Sequence, residues 1–195
     1  MSHHIYHTRG IILSSQPSGE SNRFYKIFTE ELGLIGGTAQ SVREGKSKLR
    51  YVLQDLSLVT VDLVRGKEVW RIISAGAWDP LENIKSDRES MKIFARYTAF
   101  LERLIQGERH DKELFDEIVS VVNFLKIGAV PKELRLSFET LAIFRVMTHL
   151  GYMNPDGYEQ FLEPVEYLNT LLEGFESVRI KAILKINDAL DASHL

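Results

Sequence analysis

The stretch LQDLSLVTVDLVRGKEVWRIISA, residues 53–75, decides the fold. Leu56, Leu58, Asp62 and Val64 fall on one parity, and Ser57, Val59, Val61 and Leu63 on the other; this alternation is the clearest β signal in the chain. The RGK triplet at residues 65–67 then reads as a tight hairpin into a second strand, EVWRII. Working outward towards the N-terminus, IYHTRGIILS from Ile5 is rich in β-branched and aromatic residues. It runs into the turn-prone SQPSGESN, where Pro17 and Gly19 oppose a helix. FYKIFTEELGLIGGTAQS resumes the extended pattern, with Gly33 expected in a turn and Gly36–Gly37 expected to allow bending or a close backbone approach. Some five strands within about 70 residues have edges and faces to cover, and closure into a small OB-like barrel covers both.

Beyond Trp78 the tripeptide DPL ends the β pattern and the period changes from two to 3.6. In residues 88–106, Met91, Phe94, Ala95, Thr98, Leu101, Leu104 and Ile105 form one helical stripe. Residues 111–128 predict a second helix, capped by Asp111 and burying Leu114, Phe115, Ile118, Val121, Val122 and Leu125. A third is expected from Pro131 to Gly151, and one or two more over 166–190 with an interruption near Gly174. The expected fold class is therefore α+β in two domains, a five-stranded OB-like barrel over 1–79 and an all-α domain over 80–195.

Composition narrows the chemistry. With no cysteine, disulfides and cysteine-held zinc or iron–sulfur centres are excluded. No apolar run approaches the ~18–20 residues of a membrane span, so no membrane partner is expected, and the lack of cysteine is compatible with the cytoplasmic location expected here. The formal net charge is −3, but residues 1–79 hold 10 Lys+Arg against 8 Asp+Glu while residues 80–195 hold 14 against 19. A polyanion should prefer the first module. His3, His4 and His7 are the only local group of potential metal ligands, without a supporting motif; His110, His149 and His194 read as loop, helix-end and terminal residues. Phosphate-binding glycine loops and nucleophile elbows are absent. The acidic pairs Glu30–Glu31, Asp116–Glu117 and Asp188/Asp191 do not by spacing alone make a catalytic site. Neither a cofactor nor a metal is expected.

The basic residues are more coherent. Arg43, Lys46, Lys48 and Arg50 fall within eight positions in a segment that reads as a mobile charged connection or a short helical insertion. Arg23 and Lys26 lie on an early strand, and Arg65, Lys67 and Arg71 flank the later hairpin. Barrel closure would gather these nine cations into a phosphate track, with Tyr25 and Tyr51 as candidates for stacking on bases and Phe24 and Trp70 assigned to the core.

The segments TRGIIL, GESNRFYKIFTEELG, AQSVREGKSKLR and LQDLSLVTVDLVRGKEVWRI resemble, in order, the N-terminal part of the bacterial RecO family of recombination mediators over about residues 5–75. LAIFRVMTHLGYM resembles the helical part more loosely. The resemblance implies a non-enzymatic protein with an OB fold and a helical domain. It also implies binding of single- and double-stranded DNA, strand annealing, and work with RecR and single-stranded-DNA-binding protein to assist recombinase loading. Carried onto matching positions, it implies DNA contact at Arg23, Arg43, Lys46 and Lys48; Arg50, Arg65, Lys67 and Arg71 rest on the charge argument. Asn22, Gln40, Ser41 and Glu44 depart from the family pattern, which has an acidic residue, a lysine, a glycine and a basic residue there. The four-cysteine zinc element of many members is missing, so zinc is not implied. Two rival readings are a protein-binding assembly module of the same fold with weak DNA affinity, and a small metal-dependent nuclease-like hydrolase.

Overall fold

The computed structural model describes residues 4–128, 130–163 and 166–194. Five strands, β1 (Ile5–Ser18), β2 (Asn22–Thr29), β3 (Gly33–Ala39), β4 (Leu58–Arg65) and β5 (Trp70–Asp79), close a barrel in the order β1-β2-β3-β5-β4. One helical turn, α1 (Leu49–Val52), lies between β3 and β4. Closure depends on the long first strand, whose start pairs with β4 (Ile5 opposite Val64, Ile11 opposite Leu58) and whose end pairs with β2 (Gly10 opposite Thr29, Ser18 opposite Asn22). The single parallel pairing, Gly37–Ala39 beside Trp70–Ile72, completes the circuit. Five strands in this order, with a helix between the third and fourth, make the OB-like barrel that the sequence predicts.

The two-residue period explains the core. Val59, Val61 and Leu63 of β4 face inward with Ile12, Tyr25, Ile27, Ile35, Trp70 and Ile72. SQPS does not end β1: Pro17 sits opposite Arg23 at the end of the strand, beyond the stretch paired to β4, where a residue without an N–H is tolerated. Gly36 is required because the Phe24 ring lies against it; a Cβ there would come within 2.6 Å of Phe24 Cζ.

Two compact units divide the described chain. The first is Met1–Leu81 with Gln106–Phe115, and the second is Glu82–Ile105 with Asp116–Leu195. A single cut after residue 79 therefore misses a returning segment. Gly33, at φ 71°, has the Arg109 backbone where a Cβ would point, Leu34 N–H donates to Gly107 O at 3.2 Å, and Phe115 stacks near Trp78 with centroids 6.0 Å apart.

In the second unit are α2 (Glu82–Ser86), α3 (Arg88–Leu104), most of α4 (Lys112–Lys126), α5 (Arg135–His149), α6 (Asn169–Glu176) and α7 (Arg179–Ala192). Asp87 caps α3 by accepting from Ser90 N at 2.9 Å, and Asp111 caps α4 by accepting from Leu114 N at 3.0 Å. The α4 face is buried as its spacing predicts. On α3 the stripe is shifted by one column: Ile93 and Tyr97 join Phe94, Thr98, Leu101 and Leu104 inside, while Met91 and Ala95 lie at its edge. The interruption expected near Gly174 falls later, since α6 runs through Gly174 to Glu176 and the break comes at residues 177–178. Helix α5 is central and packs against α3, α6 and α7. Among the described residues no helix is long and apolar enough to cross a membrane.

Candidate nucleic-acid interface

The basic segment leaves the barrel where β3 ends and is fastened to the β1–β2 turn. Ser41 N–H donates to Asn22 Oδ1 at 3.0 Å, Arg43 N–H to Ser21 O at 3.0 Å, and Arg43 Nη1 to Gly19 O at 3.2 Å. Ser41 has φ 54°, the left-handed region that favours glycine, at the position where the resemblance carries a glycine. Val42 and Leu53 are buried at the two ends of the segment, so the intervening residues 43–52 form an anchored arch with its charges outward. Arg50 and Tyr51 project from α1; Tyr51 is 71% exposed.

Between the arch and the barrel lies a depression of about 430 Å³. Arg23, Arg43 and Arg50 line it, with Ser15, Gln54 and Asp55 as polar neighbours and Tyr25, Val42 and Leu53 as the aromatic and apolar part. Arg23 Nη2 donates to Ser15 Oγ at 2.7 Å, and Ser15 Oγ donates to Asp55 Oδ1 at 2.5 Å. Three guanidinium groups thus face one carboxylate, which leaves the wall positive.

The other predicted cations go elsewhere. Lys46 and Lys48 are exposed on the arch beside Arg43 and Arg50 but do not line the depression. Lys26 and Arg71 share the outward parity of β2 and β5, Lys26 opposite Gly36 and Arg71 opposite Thr38 and Val64. Lys67 is exposed in the β4–β5 hairpin. Arg65 is engaged: it forms an ion pair with Glu108 and stacks on Trp70, its Cζ 4.8 Å from the ring centroid. Trp70 Nε1 also donates to Glu108, at 3.1 Å. The nine cations are therefore divided among the depression, the arch, an outer sheet face and the hairpin.

Of the two stacking candidates, Tyr51 is open to solvent and Tyr25 is not. Tyr25 is 0% exposed inside the barrel, because its inward parity on β2 points the ring into the core; as a base-stacking surface it is withdrawn. Burial pushes its phenol above the ordinary tyrosine pKa, the positive charge of Arg23 opposes that shift, and Asp55 adds to it.

Several participants escaped the sequence reading. Ser15 and Asp55 belong to segments read only as turn and strand, and Glu108 to a turn read as solvated. Arg9, never singled out, makes a two-point pair with Glu30 at 2.7 and 2.5 Å and lies 4.6 Å from the Trp78 centroid. That pair holds the Glu30 carboxyl below its usual range, which makes Glu30 a structural anion. His7 pairs with Asp62 at 2.6 Å and His4 packs edge-on to Tyr6, while His3 lies outside the described residues. Among the described residues no group of three or more His, Asp or Glu side chains gathers at metal-binding geometry.

Residues 1–80 match the family described as Recombination protein O N terminal. Over these residues the chain is similar to the N-terminal part of the RecO family. A DNA repair protein RecO of Dehalococcoides mccartyi (strain CBDB1) is 30% identical over 131 residues, 66% of this chain and 51% of the relative. The RecO of Clostridium novyi (strain NT) is 25% identical over 130 residues, 67% of this chain and 51% of the relative. That of Gloeothece citriformis (strain PCC 7424) is 25% identical over 163 residues, 83% of this chain and 57% of the relative, so similarity extends into the helical unit. The chain spans about half the length of the first two of these curated relatives. The arginine-lined depression lies wholly within the matched N-terminal segment.

Proposed function

We propose that this chain is a non-enzymatic, cytoplasmic DNA-binding protein of recombinational repair. It holds single- and double-stranded DNA through phosphates and promotes annealing of complementary strands. In this reading the barrel unit is the DNA-binding part. The net-negative helical unit serves protein contact, with RecR and single-stranded-DNA-binding protein as partners in recombinase loading.

The observation that carries the reading is the convergence of Arg23, Arg43 and Arg50 on one depression, beside an arch that adds Lys46, Lys48 and the exposed Tyr51. The segments that make it come from β1, β2 and the β3–β4 connection, so barrel closure is what brings them together. Guanidinium groups suit phosphate oxygens in two-point geometry, and none of these contacts requires a base edge, so little sequence preference is expected. An exposed tyrosine beside them offers a stacking surface for an unpaired base. Two strands with part of their phosphate charge neutralised repel less, and annealing speeds up without any bond being made or broken.

Titration of a fluorescent single-stranded oligonucleotide at several salt concentrations tests the reading. The affinity should fall linearly on a log–log plot, with a slope of roughly −0.7 per phosphate neutralised. No binding at low salt would favour the assembly-module alternative. Labelled DNA should also stay intact with Mg²⁺ or Mn²⁺, and shortened strands would instead indicate the hydrolase.

A further inference from the structure

One feature of the depression is not explained by a general phosphate track. The Tyr25 hydroxyl is buried and has no hydrogen-bond partner among the described residues, although the residue lines the arginine-bearing wall. Buried hydroxyls are ordinarily satisfied, and an orphan costs the desolvation of the group with nothing in return. Phenylalanine would fill the same core position without that penalty. The hydroxyl lies at the depression end of the barrel: Tyr25 is opposite Ser15, and the two charges that act on the phenol, Arg23 and Asp55, are both in the wall. With its pKa raised it keeps its proton at neutral pH and is a neutral donor.

We propose that the depression is a seat for one phosphate group, in which the Tyr25 hydroxyl donates to an oxygen that Arg23, Arg43 and Arg50 hold by charge. The seat deepens the DNA-binding reading and rests on it for the carrier of the phosphate, a backbone phosphodiester. Arg23 is the group that must adjust, since its guanidinium is now directed at Ser15 Oγ at 2.7 Å, a neutral acceptor that a phosphate oxygen would outcompete. Asp55 is the one carboxylate in the wall and accepts from Ser15 at 2.5 Å, so the seat keeps a surplus of positive charge and favours an anion. Tyr25 thereby has a use for its hydroxyl that its ring, enclosed in the core, cannot have as a stacking surface.

Tyr25→Phe separates this from a structural role. Because it removes a hydroxyl with no partner among the described residues, the variant should melt at or above the wild-type temperature. In an NMR titration with inorganic phosphate, followed at the arginine Nε–Hε signals, the wild type should show saturable shifts of Arg23, Arg43 and Arg50. In Tyr25→Phe the apparent Kd should rise about fivefold, the worth of one hydrogen bond. Equal phosphate Kd values, or no saturable shift in the wild type, overturn the seat; the wild-type titration alone decides if the variant does not fold. An unlabelled oligothymidylate should displace the phosphate. If phosphate saturates and responds to Tyr25→Phe while the oligonucleotide does not compete, the seat stands for a free phosphate and the DNA reading falls.

Discussion

Arginine, tyrosine and a carboxylate meet twice in this molecule, with opposite results. In the helical unit the Arg145 side chain is only 4% exposed; its Nε donates to Phe161 O at 2.8 Å, and its Nη1 is 3.5 Å from Glu117. Its Cζ lies 4.5 Å from the Tyr167 ring centroid, and the Tyr167 hydroxyl donates to Glu117. In the barrel unit Arg43 and Arg50 face solvent and the Tyr25 hydroxyl is left over. Burial drives Arg145, Glu117 and Tyr167 to pair with one another, since an unpaired buried charge is expensive, although the buried Tyr97 hydroxyl, which feels the same two charges, has no partner among the described residues. The second group keeps capacity in reserve, and reserve is what a ligand can use. Residue type does not distinguish the two sites; the partners available to each group do.

The largest effect expected on this contrast is on stability. Arg145→Met would strand the Glu117 carboxylate in the interior and should lower the unfolding free energy by about 3–5 kcal/mol, measured in urea. A change below about 1 kcal/mol would mean that the buried group is not the anchor its geometry indicates. Next comes the barrel site. Replacing Arg23, Arg43 and Arg50 together by Gln should leave the urea midpoint nearly unchanged and weaken single-stranded DNA binding about 100-fold at low salt. The log–log salt slope should become shallower by about 2. An equal loss from Lys26, Lys67 and Arg71 replaced by Gln would place the interaction on the outer sheet face and hairpin instead.

Much of this was legible in residues 53–75, because alternation at Val59, Val61 and Leu63 reports a strand face directly and five such strands demand closure. The helices were legible for the same reason, from Phe115, Ile118 and Val122 at helical spacing. The site was legible only in part. Charge density along the chain picked out Arg43 to Arg50, but whether Arg65 was open depended on Glu108, 43 positions away and in a segment whose polarity looked like that of any surface turn. Tyr25 shows the same limit at finer grain: in FYKIF the aromatics Phe24 and Phe28 flank Lys26 on one parity while Tyr25 and Ile27 fill the other, and Phe24 reads as the core residue whereas the barrel buries Tyr25. That choice was made by barrel closure and by Gly36, which makes room for Phe24 on the outside.

A smaller effect concerns pH and again sets the two units apart. Burial raises the Glu117 carboxyl above its ordinary range, in opposition to Arg145 and to the Tyr167 hydrogen bond. Its folded pKa therefore exceeds the unfolded one, so its contribution to stability is full below the ordinary glutamate pKa and is lost as pH rises through the folded value. Glu30 behaves in the opposite sense: held down by Arg9, it stabilises above the ordinary glutamate pKa, and that contribution is lost as pH falls through the folded value. Urea titrations across the acid range should show Glu117→Gln removing the decline with rising pH, and Glu30→Gln removing the decline with falling pH. A Glu117→Gln profile that still parallels the wild type would assign the slope to other groups.

The smallest effect is expected where helical-unit cations are exposed but already matched. Lys92 Nζ is 2.7 Å from Glu89, and Arg96 reaches Glu139 through Nε at 2.6 Å and Nη2 at 2.8 Å. Each positive charge has a carboxylate beside it, so little potential is left to draw a phosphate. Lys92→Gln with Arg96→Gln should shift oligonucleotide affinity less than about twofold and reduce stability by roughly 0.2–1 kcal/mol per pair, the range of exposed ion pairs. A loss approaching that of the barrel triple would show that matched surface charges can still recruit DNA. Binding would then depend on net local density, and the unused donors around Tyr25 would no longer be what separates the barrel site from the rest of the surface.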